Sequence, residues 1–380
     1  MKIVYCLNSI IPDRGDDIAI LTKANALSRF NDCQIFIVVV QDSQGARALL
    51  SPNVHLVDLG IDLRSLNRHF PANLPPLLRI TQQQKKALKS VLNKIRPDVV
   101  VSIGGFEKSF LYHLHGSWKL VFEIHSLPDA QLRSARSFLE KSIAKLGIWL
   151  NYRYRIKNYD RVVVLTEEEQ KRNWPNNPRV CVIPNPLRFD PPSVLPQKEK
   201  RIISAGRLAP SKNYSSLIRA FGLIASRFPD WTLDIFGQGA EEPRLLKEIE
   251  DLGLTRRVSL KGYCSNLQEE MANSSVFVLS SLWESFGMVI TEAMCCGLPA
   301  VVYDCPNGPR SIITDGVDGY LVPLGDENAF SKCLSRLLMT IPCVNRWARM
   351  HLTHQNNTTL ASFLHVGWLF LKSWQANVNL

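Results

Sequence analysis

Several signals are missing from this 380-residue chain, and each absence removes a class of protein. The nine cysteines, at 6, 33, 181, 264, 295, 296, 305, 333 and 343, include no Cys-x2-Cys pair. Several sit inside apolar strand-like runs, which reads as buried free thiols in a reducing compartment rather than disulfides or a zinc site. No apolar run approaches the roughly 20 residues of a spanning helix; residues 143–150 and 366–371 are too short. Met1-Lys-Ile-Val-Tyr-Cys-Leu7 leads straight into a strand pattern, so no signal peptide is expected there. A cytoplasmic protein, soluble or peripheral, is the expectation. The first βαβ segment also lacks Gly-x-Gly-x2-Gly, which argues against a dinucleotide cofactor.

What is present is a 46% hydrophobic chain in which strand-like and helix-like segments alternate. That pattern predicts a globular α/β protein, and the length exceeds what one core carries. A proline-rich polar linker over residues 189–200 separates two domains, 1–190 and 191–360, followed by an apolar helix within 361–380. The net charge of +11 is unevenly placed. Residues 1–190 hold 27 Lys/Arg against 17 Asp/Glu, and residues 191–380 hold 18 against 17. An anionic partner of the first half is one reading, and a solvated basic surface is the other.

In the first half, strands are predicted at 2–7, 34–40, 53–59, 98–103, 119–124, 161–165 and 179–183, with helices at 18–30 and 82–95. Residues 62–76 read as an irregular, basic, proline-rich insertion. Residues 132–157 are helical in pattern, interleaving basic residues with Ile143, Leu146, Trp149 and Leu150. This suits an amphipathic segment on an anionic bilayer, or an interdomain helix burying Trp149 and Leu150, with the second reading ahead.

The most informative stretch runs from Ser280 to Asp304. A β-branched run at 276–279, a polar loop, helical spacing over 288–296, Gly297 and a second run at 299–303 form a βαβ unit. Its loop lies at the carboxyl end of the first strand, where open α/β sheets bind ligands. Glu284 and Glu292 flank that loop. On one continuous helix they would lie on different faces, roughly 12 Å apart. We therefore place Glu284 in the loop and Glu292 in the first turn of the helix. The amides of Phe286, Gly287 and Met288 then open the helix, and a helix N-terminus attracts phosphate. Acid, amides, acid is an order that suits a nucleotide-sugar, which is hydroxyl-rich at both ends and phosphorylated between. The plainer alternative is a dipole role for Glu292 and a loop cap for Glu284. Arg207 and Lys212 break the tie, because they follow another strand in Ile202-Ile-Ser-Ala-Gly-Arg-Leu-Ala-Pro-Ser-Lys-Asn213.

Gly206-Arg-Leu-x3-Lys-Asn213 followed by Glu284-x7-Glu292 resembles the retaining glycosyltransferases of the GT-B fold, family 4, of the bacterial surface-polysaccharide type. Asn307-Gly-Pro-Arg-x-Ile-Ile-Thr-Asp-Gly-x-Asp-Gly-Tyr-Leu-Val-Pro323 and Val182-Ile-Pro-Asn-Pro186 extend the match. Each motif alone is moderate; order and spacing together are specific. The resemblance implies two Rossmann-like domains with parallel sheets facing across a cleft, and a C-terminal helix packing back on the first domain. It implies that Arg207 and Lys212 neutralise a departing diphosphate, helped by the opening amides of the helix. Glu292 would accept ribose hydroxyls, Glu284 would hold the transferred sugar, and His125 would line the sugar pocket. In the family, the loop after the first strand carries paired glycines beside the donor phosphates. Here Gly15, in Asp13-Arg-Gly-Asp-Asp17, stands in that place. Ser311 stands where the family commonly has glutamate.

With no Asp-x-Asp at a strand end, no metal is expected, and no cofactor beyond the nucleotide-sugar co-substrate. The expected reaction moves a hexose or N-acetylhexosamine from a UDP-sugar, or next a GDP-sugar, to a saccharide or lipid-linked acceptor of capsule, O-antigen or lipopolysaccharide synthesis. Peripheral contact with an anionic membrane, at the inner face of the plasma membrane, goes with that acceptor, and no nucleic acid is expected. The rivals are a degenerate nucleotide-sugar-binding protein and a nucleotide-sugar 2-epimerase on the same fold.

Overall fold

Among the described residues of a computed structural model, the β-branched runs of the sequence become thirteen parallel strands in two sheets. The structure describes residues 1–11, 14–41, 46–63, 74–126, 132, 137–150, 154, 156–189, 191–192 and 198–340. Two compact units result, the first ending at Pro186 and the second beginning at Leu187. The first carries β1 (Lys2–Leu7), β2 (Gln34–Val39), β3 (Val54–Asp58), β4 (Val99–Ser102), β5 (Lys119–Glu123), β6 (Arg161–Val164) and β7 (Val180–Val182). Its helices are α1 (Gly15–Leu27), α2 (Leu74–Ile95), α3 (Phe138–Trp149) and α4 (Glu167–Asn173). The second carries β8 (Arg201–Ala205), β9 (Thr232–Phe236), β10 (Val258–Gly262), β11 (Val276–Leu279), β12 (Ala300–Tyr303) and β13 (Gly319–Val322). Around these lie α5 (Tyr214–Ala225), α6 (Glu242–Asp251), α7 (Leu267–Asn273), α8 (Met288–Cys295) and α9 (Glu327–Thr340).

The sheet orders are β3-β2-β1-β4-β5-β6-β7 and β10-β9-β8-β11-β12-β13. Each chain half winds outward on one side, then returns to the middle and winds the other way. The reversals fall between β1 and β4 and between β8 and β11, and a crevice opens there at the carboxyl ends of the strands. Parallel strands covered on both faces must be apolar throughout. The core of the first unit accordingly includes Val4, Cys6, Val100, Phe122 and Val164. That of the second includes Ile202, Phe221, Leu233, Val278 and Val301. The expected α/β class, two Rossmann-like units of parallel sheet, is the fold the chain adopts.

Three expectations are corrected. Helix α2 starts at Leu74 rather than 82. Prolines 75 and 76 read as insertion, but in a first turn the missing N–H leaves no intrahelical bond unmade; residues 64–73 of that insertion lie outside the described residues. The single helical stretch over 132–157 is, among the described residues, the shorter α3. Ser137 starts it with a capping box: its hydroxyl accepts from the Glu140 amide at 3.1 Å, while the Glu140 carboxylate accepts from the Ser137 amide at 3.2 Å. Nor does α3 bury Trp149, which is 50% exposed. The residues of 133–136, 151–153 and 155, the linker positions 190 and 193–197, and the expected terminal helix of 361–380 lie outside the described residues.

The loops of the second unit meet backbone to backbone. A Cβ on Gly237 would stand 1.9 Å from the Gly206 carbonyl oxygen, and its φ of +140° already disfavours a side chain. We expect Gly237→Ala to lower stability by about 2 kcal/mol or more, since overpacking and backbone strain add. Gly15→Ala, with nothing within 4 Å of its Cβ, should be neutral or slightly stabilising. Urea denaturation of the two variants separates these outcomes.

Candidate active site

The site of the second unit is built on the reversal between β8 and β11. After β8 the chain runs through Gly206 and Arg207 into a 3₁₀ turn, Pro210–Lys212. After β11 it runs through Ser280 to the start of α8. Two hydrogen bonds tie the loops together. Ser280 Oγ donates to the Lys212 carbonyl at 2.8 Å, and the Leu282 amide donates to the Ser211 carbonyl at 2.8 Å. The side chains then meet. Lys212 Nζ donates to Glu284 Oε1 at 2.5 Å, and Ser281 Oγ donates to the same oxygen at 2.7 Å. The pair is largely shielded, with side-chain exposures of 18% and 11%, so it is screened less than a surface pair.

Arg207 is exposed, and among the described residues its guanidinium has no hydrogen-bond or ion-pair partner. A guanidinium without a partner, on the loop that follows a parallel strand, has the chemistry to pair with a planar anion. The opening of α8 adds to it. Phe286 is buried, Gly287 caps the helix with φ of +91°, and Met288 is its first residue. The loop is pinned from behind by Asn307 and Gly308. Glu284 bridges to Asn307 in parallel fashion, and a Cβ on Gly308 would stand 2.3 Å from the Phe286 carbonyl. Sequence reasoning quoted Asn307-Gly-Pro-Arg only as part of a resemblance; the close approach explains the glycine. Ser280 and Ser281 were missed, because two serines after a strand carry no signal beyond loop polarity.

Glu292 is not in the first turn of α8. It is the fifth helical residue, beyond the opening amides, and it is buried. The dipole reading fails with that placement. Burial instead pushes its carboxyl up to about 7, opposed only by the charge of Arg188.

The other residues expected to serve a site belong to the first unit and are described by themselves. Gly15 opens α1, behind Arg14, whose side chain pairs with Asp16. Asp17 accepts from the Ile11 amide at 2.9 Å, and burial raises its carboxyl to about 6. Asp16 and Asp17 are thus engaged at the start of α1 itself. His125 lies two residues past the end of β5 and is 8% exposed. Its Nε2 lies 2.9 Å from Glu123 Oε2, and the same oxygen accepts from Lys23 Nζ at 2.8 Å. Burial alone would raise the Glu123 carboxyl, but Lys23 and His125 outweigh it and hold it at about 2.

The chain is similar in sequence and in fold to known proteins. Residues 188–348 match the family described as Glycosyl transferases group 1. Over 188 residues the chain is 39% identical to an "Exopolysaccharide phosphotransferase SCO2592" of Streptomyces coelicolor, covering 47% of this chain and 20% of that protein. Over 133 residues it is 38% identical to a "Poly(glycerol-phosphate) alpha-glucosyltransferase" of Bacillus subtilis, covering 34% of this chain and 20% of that one. The chain thus spans a fifth of the length of these relatives. Among solved structures, an S. aureus TarM variant in complex with Fondaparinux, alpha-GlcNAc-glycerol and UDP superposes with a TM-score of 0.75 at 15% identity. That match covers 97% of this chain and 99% of the other. The likeness is one of fold, the GT-B arrangement of two parallel-sheet units.

Because the Glu292 carboxyl is raised in the folded protein, its contribution is fully present below about pH 4.5 and is lost as pH rises through about 7. Glu292→Gln removes that loss. We expect the variant to gain on the parent by up to roughly 3 kcal/mol between pH 5 and pH 8. Chemical denaturation at the two pH values measures the difference, and an equal gap at both would contradict the burial argument.

Proposed function

We propose that the chain is a retaining glycosyltransferase of the family 4 type, transferring a hexose or N-acetylhexosamine from a nucleoside diphosphate-sugar to a saccharide acceptor. The observation that carries this reading is the Lys212–Glu284 pair with Arg207 beside it at the β8/β11 reversal. A diphosphate entering there meets Arg207 first and then competes for Lys212, so its binding frees Glu284 to accept hydroxyls of the sugar. The opening amides of α8 and the two cations offset the charge that grows on the departing nucleotide. We assign no metal to this step. Glu292, buried along α8, accepts the ribose hydroxyls, and in the first unit His125 offers contact to a sugar hydroxyl. UDP is the favoured nucleotide, with GDP next; the UDP bound in the S. aureus TarM structure supports that order.

For the acceptor we favour a lipid-linked saccharide of capsule, O-antigen or lipopolysaccharide assembly, met by a cytoplasmic enzyme lying on the inner face of the plasma membrane. No helix among the described residues is long and apolar enough to cross a membrane. Support for surface contact comes from α3. Phe138, Leu139, Ile143, Leu146 and Trp149 share one face at 100° per residue, and Phe138 is 88% exposed. Lys141 and Lys145 border that face and are exposed too, the arrangement that holds a helix at an anionic interface.

Thermal-shift screening against UDP, GDP, ADP and CMP tests the donor site, since a ligand of the native state alone raises Tm. We expect UDP to raise it, Arg207→Ala to lose the shift, and Glu284→Gln to keep the shift while cutting transfer by about a hundredfold or more. No response to any nucleotide at millimolar concentration sinks the reading. Co-sedimentation tests the membrane face: phosphatidylglycerol vesicles should bind the protein, phosphatidylcholine vesicles should not, and Leu139→Asp with Leu146→Asp should weaken binding about tenfold.

A further inference from the structure

The buried constellation around His125 holds more information than a contact to a sugar requires. Two donors converge on one carboxylate oxygen, Glu123 Oε2: the Lys23 ammonium at 2.8 Å and the His125 ring at 2.9 Å. All three side chains are more than nine-tenths buried. An ionised carboxylate only accepts, so the His125 nitrogen facing it carries a hydrogen. The other nitrogen, Nδ1, is buried and has no hydrogen-bond partner among the described residues. Lys23 already neutralises Glu123. A second proton on the ring would bury a net positive charge, which the interior disfavours. Burial accordingly pushes the imidazole below its ordinary value; Glu123 opposes this through its hydrogen bond and charge, Lys23 adds to it, and the more distant Asp16 on α1 pulls the other way.

We propose that Lys23 and Glu123 are positioning residues that hold His125 as the neutral Nε2–H tautomer, so that the Nδ1 lone pair accepts a hydrogen bond from a hydroxyl of the bound sugar. The identification of the ligand as a sugar rests on the transferase reading; the tautomer does not. The polarity has a consequence. A lone pair repels phosphate and carbonyl oxygens, so His125 selects a hydroxyl donor and takes no part in stabilising the diphosphate. Lys23 sets that polarity through another residue, touching no ligand itself. Without it, Glu123 would stand beside the ring as an unneutralised anion, draw a proton onto Nδ1, and turn an acceptor into a cationic donor.

Long-range proton–nitrogen NMR of the ¹⁵N-labelled full chain reads the tautomer directly, with His125 signals identified by their loss in His125→Gln. The expected wild-type spectrum shows a neutral Nε2–H ring from pH 6 to pH 8. In Lys23→Met the ring should titrate at least about one pH unit higher, with Nδ1 protonated near neutrality. With the donor found by thermal shift, Lys23→Met should lower kcat about tenfold with KM changed less than about twofold, and Lys23→Arg should restore most of it. A wild-type ring that is charged or Nδ1-protonated at pH 7 overturns the proposal, as does an unchanged titration in Lys23→Met. The wild-type spectrum decides even where Lys23→Met does not fold. Absence of any nucleotide response counts against the transferase reading alone, because the tautomer is measured without turnover.

Discussion

Parallel strands cannot be joined by a tight turn; each must be reached by a crossover of a dozen residues or more. A chain that winds outward from its first strand must therefore return to the middle before it can extend the sheet the other way. In both units it does so once, at β1/β4 and at β8/β11. At those points the neighbouring loops leave in opposite directions and cannot cover the strand ends. The rest of the chemistry depends on this constraint. Arg207, Lys212 and Glu284 are separated by up to 77 positions in the chain, yet the reversal sets the loops that carry them side by side. Ser280 Oγ and the Leu282 amide then fix the register between those loops through two short hydrogen bonds.

The two units use charge in opposite ways. In the second, Arg207 is exposed beside no partner among the described residues, and Lys212 is held in a largely shielded ion pair with Glu284. In the first, charge is sealed away. Lys23 and Glu123 neutralise each other inside the fold, and the ring nitrogen left without a partner among the described residues is Nδ1 of His125. A buried pair of this kind adds little to stability on balance, because desolvation offsets attraction. Setting the protonation of a neighbour is a reason to keep it. Glu292 follows the same logic without a full partner, and its carboxyl sits near neutrality for want of one.

Much of the local structure around Glu284, Arg207 and Lys212 was legible in the chain because its signals are local. A strand, a polar loop and helical spacing place Glu284 and the opening of α8 without any long-range knowledge, and Gly206-Arg-Leu-x3-Lys does the same for the cations. Where reading failed, the deciding contact was distant or the local signal misled. Glu292 was set one turn early although the expected helix start at Met288 held, because a place at the opening amides suited the expected ligand better than a fifth helical position does. Prolines 75 and 76 masked the start of α2. Trp149 was assigned to a buried face because aromatics are usually covered, yet α3 turns it outward. Gly308 looked like one residue of a motif until the Phe286 carbonyl was seen against its Cα hydrogens.

The sequence by itself determined the alternation of strand and helix and the two-unit organisation of a parallel α/β fold, because periodicity, capping and turn chemistry act over a few residues. Only the tertiary structure decided that Lys212 and Ser281 share one oxygen of Glu284, that Lys23 reaches Glu123 across a hundred positions, and that Nδ1 of His125 is the nitrogen left unpaired among the described residues. Those are facts of burial and direction between distant segments, and no local pattern of side chains encodes which way a buried ring will face.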